Sequence, residues 1–371
     1  MIVLYEPKCY NNMHLLFNIG LLETLQIAYP QSQIHYFAEK EQAKQVMSIM
    51  GNKGKIVVHP VAIMDFRFEY LFNLSGLLKI MYTLWKIKKL PELEAVYFSS
   101  TSPTLLWCSQ YMLKNYKVHY IFHRITSTLS HSYSWIHWNF YLLKAINCLP
   151  NHHKIWVLGK YIIKNVKEIC PQLKKSFLFI PHVLPSSLQG KKTFYQENPT
   201  FGSIGHANLE KASQAIFELA NKPKFSTTQF FHIGTTQIER YKKNIPNVKT
   251  FSKEEFYKQQ DFIKKLIPIN YVVFSYPANT YQLHVSGAAF EALNAIKPII
   301  AIANPFFEEL FEKWGNIGYL EPTFEALEVR ILSIIDNPEP TIYQMQQANI
   351  MKYLSILSPS FVAKSIIVTN E

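Results

Sequence analysis

The residues best suited to chemistry lie in YQLHVSGAAFEALNAIKPII, residues 281–300 of a chain that contains only 12 glycines. Ser286 and Gly287 stand directly before a helical pattern of Ala288, Phe290, Leu293 and Ala295, and Glu291 follows about one turn in. Pro298 stops that helix, and Ile299 to Ile302 read as a buried strand, as does Tyr271 to Phe274 upstream. A helix start offers N–H groups without intrahelical acceptors and the positive end of the dipole. A Ser-Gly pair there lets a phosphate approach the backbone closely. A carboxylate one turn further on can accept hydrogen bonds from a ribose diol. The same spacing also fits an ordinary capped helix whose glutamate faces water.

Several other chemistries are excluded by what the sequence lacks. No GxGxxG follows the first strand, which argues against a dinucleotide-dependent dehydrogenase, and no GxxxxGK[ST] supports a P-loop NTPase. No Gly-x-Ser-x-Gly elbow is present. His119 and His123 are four apart, but they lie in the strand-like run HYIFH with no following glutamate, a poor zinc site. Cys9, Cys108, Cys148 and Cys170 are scattered and form no CxxC, which fits a reducing compartment and provides no disulfide framework. The strands end without an Asp-x-Asp triplet, so no metal and no other cofactor is expected. The opening MIVLYEPKCYNN reads as a strand and a polar loop and not as a signal peptide, and no apolar run has transmembrane length. A cytoplasmic protein is the expectation.

Charge is unevenly placed. Residues 1–70 hold six basic and six acidic side chains, and residues 201–371 hold sixteen of each. The whole excess of +12 therefore falls in 71–200, with sixteen basic and four acidic residues and no carboxylate between Glu94 and Glu168. Such a surface attracts polyanions, either nucleic acid or an anionic leaflet. No nucleic-acid recognition motif accompanies it, and its aromatics follow apolar periodicity, so no nucleic-acid partner is expected. Within it, LSGLLKIMYTLWKIKKLP (74–91) places Lys79, Lys86 and Lys89 on one helical face and Leu77, Leu78, Met81, Leu84 and Trp85 on the other. A helix of this kind lies in a membrane interface, or packs on a sheet with its lysines in water.

These residues need a scaffold, and 371 residues predict two domains. Strands at 2–5, 33–37, 55–58, 95–98 and 118–122 alternate with helices at 14–28, through Met50, at 74–91 and from Ser102-Pro103. LPSSLQGKKTFYQENPT (184–200), with its prolines, serines and polar residues, reads as interdomain linker, placed at 186–200. A second alternation follows: strand FGSIG, helix 211–220, strand 229–233, helix 253–266 and the segment described first. The fold class is α/β: a Rossmann-like domain over 1–185, a second over 201–342, and two C-terminal helices over 343–371 broken at Pro359. Ligands bind at the carboxyl ends of such parallel strands.

The chain resembles the GT-B glycosyltransferases, particularly the family 4-like group of bacterial surface-polysaccharide enzymes. The resemblance runs along most of the chain and is densest over 200–320. It rests on FGSIGHANLEK, with Gly205 and Lys211, and on Tyr281, Ser286-Gly287, Glu291-Ala292-Leu293 and Lys297-Pro298. It implies two Rossmann-like domains facing a central cleft, with terminal helices that cross back toward the first. It further implies that Gly205, Tyr281, Ser286 and Gly287 hold a nucleotide-sugar diphosphate, that Glu291 holds the ribose, and that Lys211 neutralises the departing phosphate. In the first domain, His14 and Arg124 match acceptor contacts and His123 a catalytic residue facing the sugar; a histidine at a strand end also has purely structural uses. Two departures stand out. Many retaining members carry a glutamate where this chain has Leu283, and an arginine is frequent where it has His206. The stereochemical outcome stays open.

The function expected from this resemblance is transfer of a sugar from a nucleotide-sugar to a saccharide or lipid-linked acceptor in bacterial surface polysaccharide synthesis. The enzyme would be peripheral on the inner face of the cell membrane. The alternatives are a GT-B-type sugar epimerase and a non-catalytic GT-B-like scaffold or polyanion-binding protein.

Overall fold

The computed structural model describes residues 1–11, 13–51, 56–63, 73–208, 211–235, 248–251 and 259–370. The chain forms two compact units. The first holds Met1–Ser186, Leu283–Val285 and Leu357–Glu371, and the second Ser187–Gln282 and Ser286–Ile356.

In the first unit the strands are β1 (Ile2–Tyr5), β2 (Ile34–Ala38), β3 (Ile56–Pro60), β4 (Ala95–Phe98), β5 (Lys117–Phe122), β6 (His153–Val157) and β7 (Phe177–Phe179). They form one sheet of order β3-β2-β1-β4-β5-β6-β7, and every pairing is parallel. Parallel strands covered on both faces read as unbroken apolar runs, and IVLY and AVYF are buried at every position. The helices are α1 (Leu15–Ala28), α2 (Lys40–Met50), α3 (Leu74–Lys88), α4 (Pro103–Met112), α5 (Leu142–Asn147) and α6 (Lys160–Ile169). Ser102 caps α4 by accepting from Leu105 N–H at 3.1 Å, with Pro103 in the first turn.

The second unit repeats the plan with β8 (Phe201–Ile204), β9 (Phe230–Ile233), β10 (Val248–Phe251), β11 (Tyr271–Phe274), β12 (Ile299–Ile302) and β13 (Gly318–Glu321). Their order is β10-β9-β8-β11-β12-β13, again parallel throughout. Its helices are α7 (Gln214–Ala220), α8 (Gln259–Leu266), α9 (Gly287–Asn294), α10 (Pro305–Trp314), α11 (Phe324–Asp336) and α12 (Pro340–Leu354). The last helix, α13 (Pro359–Asn370), belongs to the first unit, where it packs along α1.

Several expectations shift. The strand sought at 55–58 is Ile56–Pro60, with residue 55 outside the described residues. Helix 253–266 is seen as Gln259–Leu266, residues 253–258 likewise lying outside them. The tail divides at its break, so α12 stays with the second unit and α13 joins the first. Residues 340–369 are long and apolar enough to cross a membrane by length and composition. They are interrupted at Ser355–Leu357, and Tyr343, Ile350, Val362, Ala363 and Ile366 pack into the two cores.

The face that α3 buries also differs from its helical wheel. Gly76, Ile80, Thr83, Leu84 and Ile87 form the buried seam, while Leu78, Met81 and Trp85 stay exposed. Thr83 Oγ1 donates to Lys79 O at 2.9 Å, which removes the penalty of burying a hydroxyl.

Candidate functional site

In both sheets the strand order reverses between neighbours that are not consecutive in the chain: β1 and β4 in one, β8 and β11 in the other. Crevices at the carboxyl ends of such strands are where doubly wound sheets bind ligands. The expected site residues gather there.

In the second unit β8 runs into Gly205, whose φ of +91° favours glycine. A Cβ built on Gly205 would lie 3.5 Å from Ala288 Cβ, so the strand end lies beside the first turn of α9. Ser286 is the N-cap of α9, its Oγ accepting from Ala289 N–H at 3.3 Å. The N–H groups of Gly287 and Ala288 have no acceptor within the helix. Among the described residues a Cβ on Gly287 would meet nothing within 4 Å, so they leave the approach to this backbone open.

Beyond β11, Tyr276 ties the loop together. Its ring stacks on Tyr281 with centroids 4.7 Å apart, and its hydroxyl lies 3.4 Å from Ser286 Oγ. Tyr281 is itself buried, at φ +57°, so it shapes the loop. Lys211 Nζ sits 5.9 Å from the centre of the Tyr276 ring. The helix expected from Lys211 starts instead at Gln214, and Lys211 occupies the preceding turn, where its N–H donates to Asn208 Oδ1 at 3.0 Å. Glu291, in the second turn of α9, is half-buried and not the solvent-facing residue of an ordinary capped helix. Burial pushes its carboxyl up to about 7, with the Lys211 charge opposing. A cation, a carboxylate of tunable charge and open helix N–H groups thus converge on one strand end.

Lys297 does something else. Its buried ammonium donates to Ile269 O at 2.7 Å, Ile267 O at 3.1 Å and Thr193 Oγ1 at 3.0 Å, and burial pushes its pKa down to about 7. It is a structural clamp.

In the first unit the residue that follows β1 is Glu6, fully buried. Its carboxylate accepts from Lys8 N–H at 3.0 Å, Cys9 N–H at 3.1 Å, Asn18 Nδ2 at 3.4 Å and Ser99 Oγ at 2.9 Å, and also from Ser100 Oγ. Ser99 and Ser100 follow β4, so this network closes the switch point of the first sheet. Burial would raise the Glu6 pKa, but His14 and the other donors hold it down to about 2. His14 Nδ1 lies 3.7 Å from Glu6 Oε2. Its ring stacks on His123 at 4.2 Å, and Phe17 meets His123 edge-on at 4.6 Å. Burial and the neighbouring imidazoles hold His123 well below the usual histidine range, so it is neutral. Arg124, next in sequence, is exposed.

Glu6, Cys9 and His14 bring ligand-type atoms within 4.8 Å of one another. The Glu6 oxygens are already engaged by five donors, and burial pushes the Cys9 thiol well up, which keeps it protonated. This is the donor set of an anchored carboxylate.

The structure thus joins His14 with His123, and joins Gly205, Lys211, Tyr281, Ser286, Gly287 and Glu291. Sequence reasoning missed Glu6, Ser99, Ser100 and Tyr276. The available signal was position: each lies within two residues of the carboxyl end of a strand at a reversal point. It also missed the role of residues 283–285. Leu283 is in the first unit's core, Thr126 Oγ1 donates to its carbonyl, and Tyr161 OH donates to His284 O at 2.6 Å.

Two Rossmann-like parallel sheets in one chain, each carrying its polar cluster at the strand reversal, give the GT-B fold. Solved structures share it over nearly the full length. Anabaena Alr3699/HepE in complex with UDP-glucose superimposes with a TM-score of 0.68 at 13% identity, covering 100% of this chain and 99% of that one. Trehalose-6-phosphate synthase OtsA gives 0.66 at 10%, over 99% and 98%. Arabidopsis thaliana UGT89C1 complexed with UDP-L-rhamnose gives 0.54 at 12%, over 100% and 98%. At these identities the likeness is one of fold. No protein-family model and no curated protein sequence matches the chain.

Proposed function

We propose that this protein is a glycosyltransferase that takes a sugar from a nucleotide-sugar bound to its second unit. The observation that carries the reading is the Lys211–Glu291 pair beside the open first turn of α9. Gly205 and Gly287 give the diphosphate access to backbone, Ser286 fixes the helix start, and Glu291 receives the ribose hydroxyls. As the bond to the sugar breaks, negative charge grows on the departing phosphate, and Lys211 with the α9 N–H groups opposes it. HepE and UGT89C1, whose fold this chain shares, were solved with UDP-sugars.

The acceptor belongs to the first unit, where His14 and Arg124 contact it and neutral His123 faces the transferred sugar. Glu6 orients His14. A saccharide or lipid-linked acceptor of bacterial surface polysaccharide is the proposed class, with the enzyme held in the cytoplasm at the inner face of the membrane by residues 71–200. That stretch carries the whole net excess of positive charge.

One observation favours a non-catalytic GT-B-like scaffold instead. Leu283, where many retaining enzymes place a glutamate, is 3% exposed and built into core. Release of nucleoside diphosphate from a panel of UDP-, GDP- and dTDP-sugars separates the two. Transfer predicts slow hydrolysis of one or a few donors without acceptor; no turnover of any, with or without lipid and saccharide acceptors, supports the scaffold.

A further inference from the structure

The first unit carries an apolar groove that the proposed transfer chemistry does not use. It is lined by Met81 of α3, by Trp107, Cys108, Tyr111 and Met112 of α4, and by Trp138, and is a largely open depression of about 310 Å³. That is the small end of the roughly 300–1,000 Å³ typical of ligand pockets, and none of the described residues that line it is charged. The groove opens onto an apolar surface. Leu74, Leu78, Met81, Tyr82 and Trp85 are exposed along α3, as are Tyr111 on α4 and Trp135 just before Trp138. Contiguous exposure of this extent marks an interaction site.

Charge decides what fits it. Lys79, Lys86 and Lys88 are exposed on the same helix, as is Lys89 at its C-cap. Lys86 Nζ lies 4.5 Å from the centre of the Tyr82 ring and Lys89 Nζ 3.8 Å from that of Trp85, so ammonium groups cap the aromatic face. Aromatic rings beneath a layer of lysines match the boundary between acyl chains and anionic headgroups. No carboxylate occurs from Glu94 to Glu168, the stretch that contains all of α4 and Trp138.

We propose that the α3–α4 groove takes up a hydrocarbon chain of an anionic membrane lipid while the α3 lysines hold its headgroup layer. This deepens the reading that residues 71–200 meet the membrane, and rests on it. It turns electrostatic adsorption into insertion at a defined place.

The test uses the full chain with phosphatidylcholine–phosphatidylglycerol vesicles whose acyl chains are either plain or brominated, bromine being a contact quencher of tryptophan. The expected result is flotation at low salt with both, and loss of tryptophan emission with brominated chains only. Met81→Glu with Tyr111→Glu, both at exposed positions, should still float at low salt but lose the quenching. Lys79→Glu, Lys86→Glu and Lys89→Glu together should lose both. Equal emission from plain and brominated vesicles by a protein that floats overturns the groove and leaves adsorption standing. Unchanged quenching in the Met81/Tyr111 variant also overturns it. Failure to float overturns groove and membrane contact together, whereas glycosyl transfer is judged separately by nucleotide release in solution.

Discussion

Glu6 Oε2 lies 3.7 Å from His14 Nδ1, so a fully buried carboxylate after β1 faces an imidazole at the start of α1. The Glu6 pKa of about 2 is below the ordinary 4.5, and the folded chain therefore binds this proton less readily than the unfolded one. The stabilisation is fully present above pH 4.5 and is lost as pH falls toward 2, a change of roughly 3 kcal/mol. Denaturant unfolding should show wild type losing stability through that window. Glu6→Gln should be less stable at neutral pH and flatter in acid. Identical acid profiles would show that Glu6 does not act as described.

Glu291 has the opposite sign. With its carboxyl pushed up to about 7, ionisation costs the fold nothing below pH 4.5, progressively more up to 7, and a constant amount above. A sugar nucleotide, whose diphosphate diester does not titrate in this range, should bind more tightly as pH rises from 6 to 8, by up to about tenfold. Glu291→Gln should flatten the profile, and Lys211→Ala should move its midpoint higher. A wild-type affinity independent of pH would remove Glu291 from the ribose site.

Gly234, at φ +149°, passes so close to Gly205 that a Cβ would lie 1.9 Å from the Gly205 carbonyl oxygen. Gly234→Ala must push β8 and β9 apart beside the proposed donor site. The expected cost is roughly 2–4 kcal/mol, with weakened nucleotide binding. Denaturant midpoints and binding measured on the same variant check both, and an alanine variant with wild-type values would contradict this packing.

How much of this could be read beforehand depends on whether a property is local. Strands such as IVLY and AVYF declare themselves because parallel strands bury both faces. β6 and β7 do not, since HKIWV opens on a histidine and a lysine and FLF is only three residues long. Ser286 as a cap and Glu291 on the next turn follow from spacing along one helix. Glu6 was invisible because its partners Ser99 and Ser100 are more than ninety residues away and only the sheet order joins them. Lys297 shows the converse: a conspicuous Lys-Pro is spent on buried carbonyls. On α3 a wheel of apolar residues could not tell which of two neighbouring seams would be buried, because the buried one includes Gly76 and Thr83, which carry little apolar signal.

Transfer should proceed without a divalent metal. No Asp-x-Asp ends a strand, and on the proposed reading Lys211 with the first turn of α9 would supply positive charge to the leaving phosphate. Activity with the best donor should survive excess EDTA. Loss of activity, restored by Mg²⁺ or Mn²⁺, would mean that the donor site works by metal.

The central claim is that the second unit binds a nucleotide-sugar through Lys211 and Glu291. Titration calorimetry of wild type, Lys211→Ala and Glu291→Ala against UDP-, GDP- and dTDP-sugars tests it directly. Wild type should bind at least one donor, and each variant should lose about ten- to a hundredfold in affinity, the worth of a charged hydrogen bond of roughly 1.5–3 kcal/mol, while keeping the fold. Wild-type affinity in both variants, or no binding of any sugar nucleotide by the intact protein, would contradict it.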